Sequence, residues 1–251
     1  MNDQIKVKSY ASSKERELRK QLMNDFKNTP IPEDELFANL GLFLSRHQMC
    51  RMLWMNEIYQ KSLNVHGNVM EFGCRWGQNL ALFHHFRSIY EPFNMSRKII
   101  GFDTFAGFPS VDEKDGGDDI VGVGNYSTTT NYDEYLEKIL NFHEQINPNP
   151  HFKKFEIVKG DATKTVKQYL EEHPETIVSL AYFDMDIYEP TKACLEAIAG
   201  HLTKGSVIAF DELNMQEFPG ETVAVREVLG LSNVRIVRSP HSQFQSYMIV
   251  E

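Results

Sequence analysis

The stretch YFDMDIYEPT (182–191) closes an apolar run with two carboxylates, Asp184 and Asp186, two positions apart. On an extended backbone both side chains would point the same way. Charges of one sign that close repel each other unless a proton or a cation compensates. A second acidic pair, Asp211-Glu212, ends the run in VIAFDEL (207–213). Four carboxylates then crowd together, and the simplest compensation is a hard divalent cation with oxygen ligands, Mg2+ or a similar ion. No cysteine or histidine set accompanies them, and Cys50, Cys74 and Cys194 are too scattered for a zinc site or a disulfide framework. The plainer alternative keeps Asp184 and Asp211 as helix caps and Asp186 and Glu212 as solvated loop acids.

Three further acids share this placement. NVMEFGCRWG (68–77) carries Glu71 and then Gly73 and Gly77, four positions apart. Glycines between a strand and a helix let backbone approach a ligand closely, and the helix N-terminus offers free N–H groups. The spacing is not the G-x-G-x-x-G of dinucleotide binding, which counts against a NAD-type oxidoreductase. A bare strand–helix turn is the alternative. Asp103 ends the next apolar run, where an acid commonly accepts hydrogen bonds from ribose hydroxyls, a simple helix N-cap being the alternative. The TFAGFP that follows it (104–109) builds a rigid apolar turn against which an adenosine could lie. Asp161 in VKGDA stands where an acid or its neighbouring amides could read an adenine edge, or could simply cap the helix that follows.

These acids need a common edge, and the pattern of elements supplies one. Short apolar runs occur at 68–72, 98–103, 155–161, 177–184, 206–211, 234–238 and 246–251, with helix-length segments between the first six. Continuous apolar strands separated by helices predict an α/β fold: a mostly parallel, seven-stranded sheet with helices on both faces. The last two strands lack a helix between them and read as an antiparallel hairpin. In such sheets the ligand crevice lies beyond the carboxyl ends of the strands, so Glu71, Asp103, Asp161, Asp184 and Asp211 should line one edge. Ahead of the sheet, Ser12 with Glu15 resembles a capping box, and residues 35–63 carry apolar residues at helical spacing. This divides the chain into an N-terminal helical cap, residues 1–65, with a substrate or oligomer role, and an α/β domain, residues 66–251.

The 251 residues carry 26 basic and 35 acidic side chains, a net charge of −9, which argues against nucleic acid as a partner. No stretch approaches membrane-spanning length, and MNDQIKVKSY lacks the apolar core of a signal peptide, so a cytoplasmic protein without a membrane partner is expected.

Taken together, VMEFGCRWGQN (69–79), IIGFDTFAGFP (99–109), VKGDATKTV (158–166), YFDMDIYEPTKACLEAI (182–198), VIAFDEL (207–213) and FPGETVAVREVL (218–229) resemble a class I S-adenosylmethionine-dependent methyltransferase. The resemblance is in particular to the metal-dependent sugar O-methyltransferases of the macrocin O-methyltransferase (TylF-like) family, with their Rossmann-like fold. That family usually has two adjacent aspartates where this chain has Asp211-Glu212. The resemblance implies that Glu71, Gly73 and Gly77 shape the pocket for S-adenosylmethionine, that Asp103 holds the ribose and that Asp161 lies near the adenine. Phe72, Asn79, Thr104, Phe105, Ala162 and Asp184 complete the implied cofactor set. It implies further that Asp184, Asp211 and Glu212 bind Mg2+ or a similar divalent ion, and that Asp186 is the general base. The expected acceptor is a small-molecule sugar, nucleotide-linked or a glycoside, and a homo-oligomer is possible. A metal-dependent hydroxylase or hydrolase on a related fold is the other alternative.

Four smaller features complete the reading. DEKDGGDD (112–119) and GVGNYSTTTN (122–131) form a long connection, expected to be solvated, because the EF-hand spacing and closing glutamate are absent. Arg46, His47 and Arg51 share a helix face and could meet a substrate phosphate, with a surface role as the alternative. His84 and His85 are expected on the helix after the glycine turn, partly buried. Trp54 and Trp76 are expected to pack, Trp76 close enough to the turn to touch a cofactor.

Overall fold

The computed structural model describes residues 11–251, so the reading of MNDQIKVKSY lies outside the described residues. Seven strands form one sheet: β1 (Asn68–Phe72), β2 (Ile99–Asp103), β3 (Phe155–Lys159), β4 (Val178–Phe183), β5 (Leu202–Phe210), β6 (Val237–Arg238) and β7 (Ser246–Ile249). Their order is β3-β2-β1-β4-β5-β7-β6. The first five pair in parallel, and β7 is antiparallel to both β5 and β6. The expected hairpin is present, but β6 is only two residues long rather than the whole of 234–238.

Side chains alternate across the sheet as the strand period requires. Met70, Phe72, Ile100, Phe102, Phe183 and Phe210 enter one core with α6 (Ala162–Glu172), α7 (Tyr188–Ile198) and α8 (Pro219–Val228). Val69, Ile99, Leu180, Tyr182 and Val207 enter the other, with α3 (Arg46–Ser62), α4 (Gln78–Tyr90) and α5 (Tyr132–Ile146). Both faces are covered, which is why the strands read as unbroken apolar runs.

The N-terminal helices are of two kinds. α1 (Ser13–Lys27) has its N-cap at Ser12, whose hydroxyl accepts the Glu15 N–H, and it buries no residue. α2 (Glu33–Leu36) and the 3-10 segment Phe37–Phe43 bury none either. In α3, by contrast, Trp54, Met55, Ile58 and Tyr59 are fully buried in the second core. Each such side chain contributes about 1.5–3 kcal/mol on burial, so α3 is integral to the sheet's packing. The expected division at residue 65 therefore does not separate two cores.

The strand order reverses between β1 and β4, and the crevice sits there, at the carboxyl ends of the strands.

Candidate active site

A cavity of about 390 Å³ opens at this edge. Of the residues named in the sequence analysis, Gly73, Asn79, Asp103, Thr104, Asp161, Ala162, Asp184, Asp186, Asp211 and Glu212 line it. Four residues expected at the cofactor are not among the lining. Glu71 points to the α3–α4 side, fully buried, with neither carboxylate oxygen hydrogen-bonded. Burial pushes its pKa up to about 8. Phe72 is stacked on Phe102 within the first core. Gly77 and Phe105 act through the backbone and are described next.

The turn after β1 depends on two glycines. Gly73 has φ +89°, and a Cβ there would lie 1.9 Å from the carbonyl oxygen of Asp184. The backbones of β1 and β4 meet too closely for any side chain. Gly77 caps α4 in the left-handed region, φ +73°, where glycine is favoured. Asp103 is fixed by two backbone donors, the N–H of Arg75 at 2.7 Å and of Phe105 at 2.6 Å. Asp161 is a helix cap, accepting the Thr163 N–H at 3.1 Å, and it also lines the cavity. Its two readings are therefore compatible.

The acidic rim is arranged differently from the sequence expectation. Carboxylate oxygens of Asp184, Asp186 and Glu212 all lie within 4.8 Å of one another. They do not meet because the strand stays extended: Asp186 has φ +63°, so a left-handed turn delivers it. Asp211 lies beside this group and lines the same cavity, but it is not one of the three convergent carboxylates. One of its oxygens takes a 2.8 Å ion pair from Arg51, and the other accepts the Tyr182 hydroxyl and the Gln245 amide at 2.6 Å. These partners, Arg51 above all, outweigh burial and hold Asp211 down at about 2. Asp211, expected as a metal ligand, is thus engaged by three protein donors.

The other acids are shifted the opposite way. Burial, then the Asp211 charge, raises Asp184 and Glu212 well above the carboxylate range. Burial lifts Asp186 to about 6. Glu212 Oε2 is buried without a hydrogen-bond partner. Behind the rim, Glu221 is fully buried and accepts the Glu212 N–H at 2.9 Å. A converging set of hard oxygen donors, one of them orphaned, fits a divalent cation such as Mg2+ or Ca2+.

Several residues gain a place that sequence reasoning did not give them. Arg51 reaches inward from α3 to Asp211, and to Asp184 at 3.4 Å, so it is not a free phosphate ligand; Arg46 and His47 lie on the exposed start of that helix. DEKDGGDD is not wholly solvated. Asp115 is buried, and its carboxylate accepts the Tyr188 N–H at 2.5 Å, capping α7 and latching the long connection to it. Tyr126, on the same connection, lines the cavity. Trp54 packs in the core and Trp76 lines the cavity. His84 is fully buried, 3.2 Å from Glu144.

The chain is similar over nearly its whole length to CalS11, a calicheamicin methyltransferase: 42% identity, 99% of this chain and 97% of that one covered, TM-score 0.93. The apo structure of CalS11, a TDP-rhamnose 3'-O-methyltransferase of calicheamicin biosynthesis, matches at 41% identity, 96% coverage of both chains and TM-score 0.85. The O-methyltransferase NovP shares the fold, at 16% identity, 80% and 79% coverage and TM-score 0.60. No protein-family model and no curated protein matches. The chain belongs to the class I S-adenosylmethionine-dependent methyltransferases, in the sugar O-methyltransferase family that its motifs resemble. It is an O-methyltransferase, and the oxidoreductase, hydroxylase and hydrolase alternatives fall away.

Proposed function

We propose that this enzyme methylates a hydroxyl of a nucleotide-linked sugar, with a divalent ion held at the acidic rim. The observation that carries the reading is the convergence of Asp184, Asp186 and Glu212 within 4.8 Å in the cavity that also holds the glycine turn and Asp103. Kinship with a TDP-rhamnose 3'-O-methyltransferase supports the acceptor class.

When bound, S-adenosylmethionine supplies an activated methyl group, and a divalent ion lowers the pKa of a coordinated hydroxyl. Asp184 and Glu212 would hold the ion. Asp186, raised to about 6, would accept the acceptor's proton on a carboxylate oxygen, since a base titrating near the working pH transfers protons best. Arg51 and Asn79 fix Asp184 from behind, at 3.4 Å and 3.0 Å. Asp103, Asp161 and the Gly73 turn would seat the cofactor. Phe108, Tyr126 and Phe218, clustered over the cavity, would exclude water.

Among the described residues no helix is long and apolar enough to cross a membrane. Cys50, Cys74 and Cys194 are free, which supports a reducing cytoplasm as the working compartment.

The test is transfer of a labelled methyl group to a panel of sugar nucleotides, TDP-rhamnose among them, with and without chelator. Transfer should vanish with chelator and return with Mg2+. Full activity in chelator would remove the metal role. No transfer to any member of the panel would remove the acceptor class.

A further inference from the structure

The cavity is lined by two arginines, and the protein uses them differently. Arg51 is consumed internally, bonded to Asp211 and Asp184. Arg75 is not. Its backbone N–H serves Asp103, but among the described residues no carboxylate lies within ion-pairing distance of its guanidinium. Its Nε is buried without a hydrogen-bond partner. Two rings hold the guanidinium in place, Tyr126 at 4.8 Å and Trp76 at 5.9 Å from its central carbon. The residue sits at φ +45°, a conformation that side-chain-bearing residues rarely adopt. Its charge is felt by Asp186, yet unlike Arg51 it makes no ion pair with the rim.

A planar fork of N–H donors, braced between aromatic faces and left without a partner, is a receptor for an oxyanion. Of the two arginines in the lining, Arg75 is the one left unpaired, and the other charged residues of the lining are acidic. We propose that Arg75 binds an oxyanion of a ligand in this cavity: the carboxylate of the cofactor's amino-acid part, or a phosphate of a nucleotide-linked acceptor. The second source rests on the acceptor class proposed above.

Calorimetric titration of the full chain separates the sources. The probes are S-adenosylhomocysteine, which carries the carboxylate, 5'-methylthioadenosine, which lacks it, and thymidine diphosphate. Arg75→Met should weaken S-adenosylhomocysteine or thymidine diphosphate by about tenfold to a hundredfold. The same variant should leave methylthioadenosine within about twofold of wild type, because that probe lacks the charge-assisted contact. A loss on the first probe assigns the carboxylate, and a loss on the last assigns the phosphate. Arg75→Lys keeps the charge but not the fork, so it should show an intermediate loss in a protein closer to wild type. Unchanged affinity for every anionic probe, or an equal loss for methylthioadenosine, overturns the proposal. If no sugar nucleotide is methylated while S-adenosylhomocysteine binding still depends on Arg75, the inference holds and the acceptor class fails.

Discussion

The guanidinium of Arg51 lies 2.8 Å from the carboxylate of Asp211, although 160 positions separate them. Removing one partner of a buried pair costs about 3–5 kcal/mol, because the other charge is left uncompensated. The Arg51 side chain keeps 30% of its exposure, so the cost of Arg51→Met is set lower, at roughly 2 kcal/mol. Urea denaturation measures it. Saturating Mg2+ should recover part of the loss by resupplying positive charge to the rim. A variant as stable as wild type would show that the pair contributes nothing.

The two glycines of the β1–α4 turn should differ in their tolerance of alanine. At Gly73 the added carbon meets the Asp184 carbonyl, and backbone cannot step aside. Gly73→Ala should cost about 3 kcal/mol or more and abolish S-adenosylhomocysteine binding. At Gly77 the nearest atoms belong to the Leu136 side chain, which can move. Gly77→Ala should cost about 1–2 kcal/mol, mostly for its left-handed backbone. Equal losses in thermal unfolding would contradict this distinction.

Cation binding should strengthen with pH. Asp186 is raised to about 6, and Asp184 and Glu212 are raised well above their usual range. A metal must displace protons that these groups retain, so raising the pH favours it. Calorimetry in two buffers of different ionisation heat should register proton release on Mg2+ binding. An affinity flat with pH would refute the protonated rim. Asp186→Asn should lower turnover by about 10²–10⁴-fold and leave S-adenosylhomocysteine binding intact.

His84 gives the fold a pH dependence of its own. Burial pushes it down to about 4, against an unfolded value of about 6.5. Between those values the unfolded chain binds a proton that the folded one refuses. Stability is therefore full above pH 6.5 and falls as the pH drops towards 4, by on the order of 3 kcal/mol for this group. His85 and His143, whose rings meet at 4.5 Å, are lowered in the same direction. His84→Phe should remove the largest share of the slope between pH 5 and 7 in denaturation curves. An unaltered slope would place its origin elsewhere.

The sheet was legible because its strands are covered on both faces, which leaves an apolar run that no helix of comparable length imitates. Four of the strand-end acids, Asp103, Asp161, Asp184 and Asp211, were legible because their runs stop at or just before them, while Glu71 lies one residue inside its run. Asp186 was assigned to the rim on a mistaken premise: the strand does not stay extended, and a left-handed turn brings the side chain there instead. The partners of Asp211, namely Arg51, Tyr182 and Gln245, come from 160, 29 and 34 positions away. No local pattern announces such pairings. Glu221 was hidden inside FPGETVAVREVL, where a glutamate in the first turn of a helix looks like a solvated end rather than a buried acid. Asp115 looks like one more acid of a charged loop, because composition does not reveal that a helix start 73 positions later needs a cap.

Helix α3 has a double allegiance. Its buried side packs on the sheet through Trp54 and Ile58, while Arg51 on the same helix supplies a counter-charge to the acidic edge. Exchanging the amino-terminal segment with that of a relative would thus transplant part of the rim's charge balance as well. A chimera joined ahead of Ser45 leaves that electrostatic inheritance untouched; one joined at the head of β1 does not.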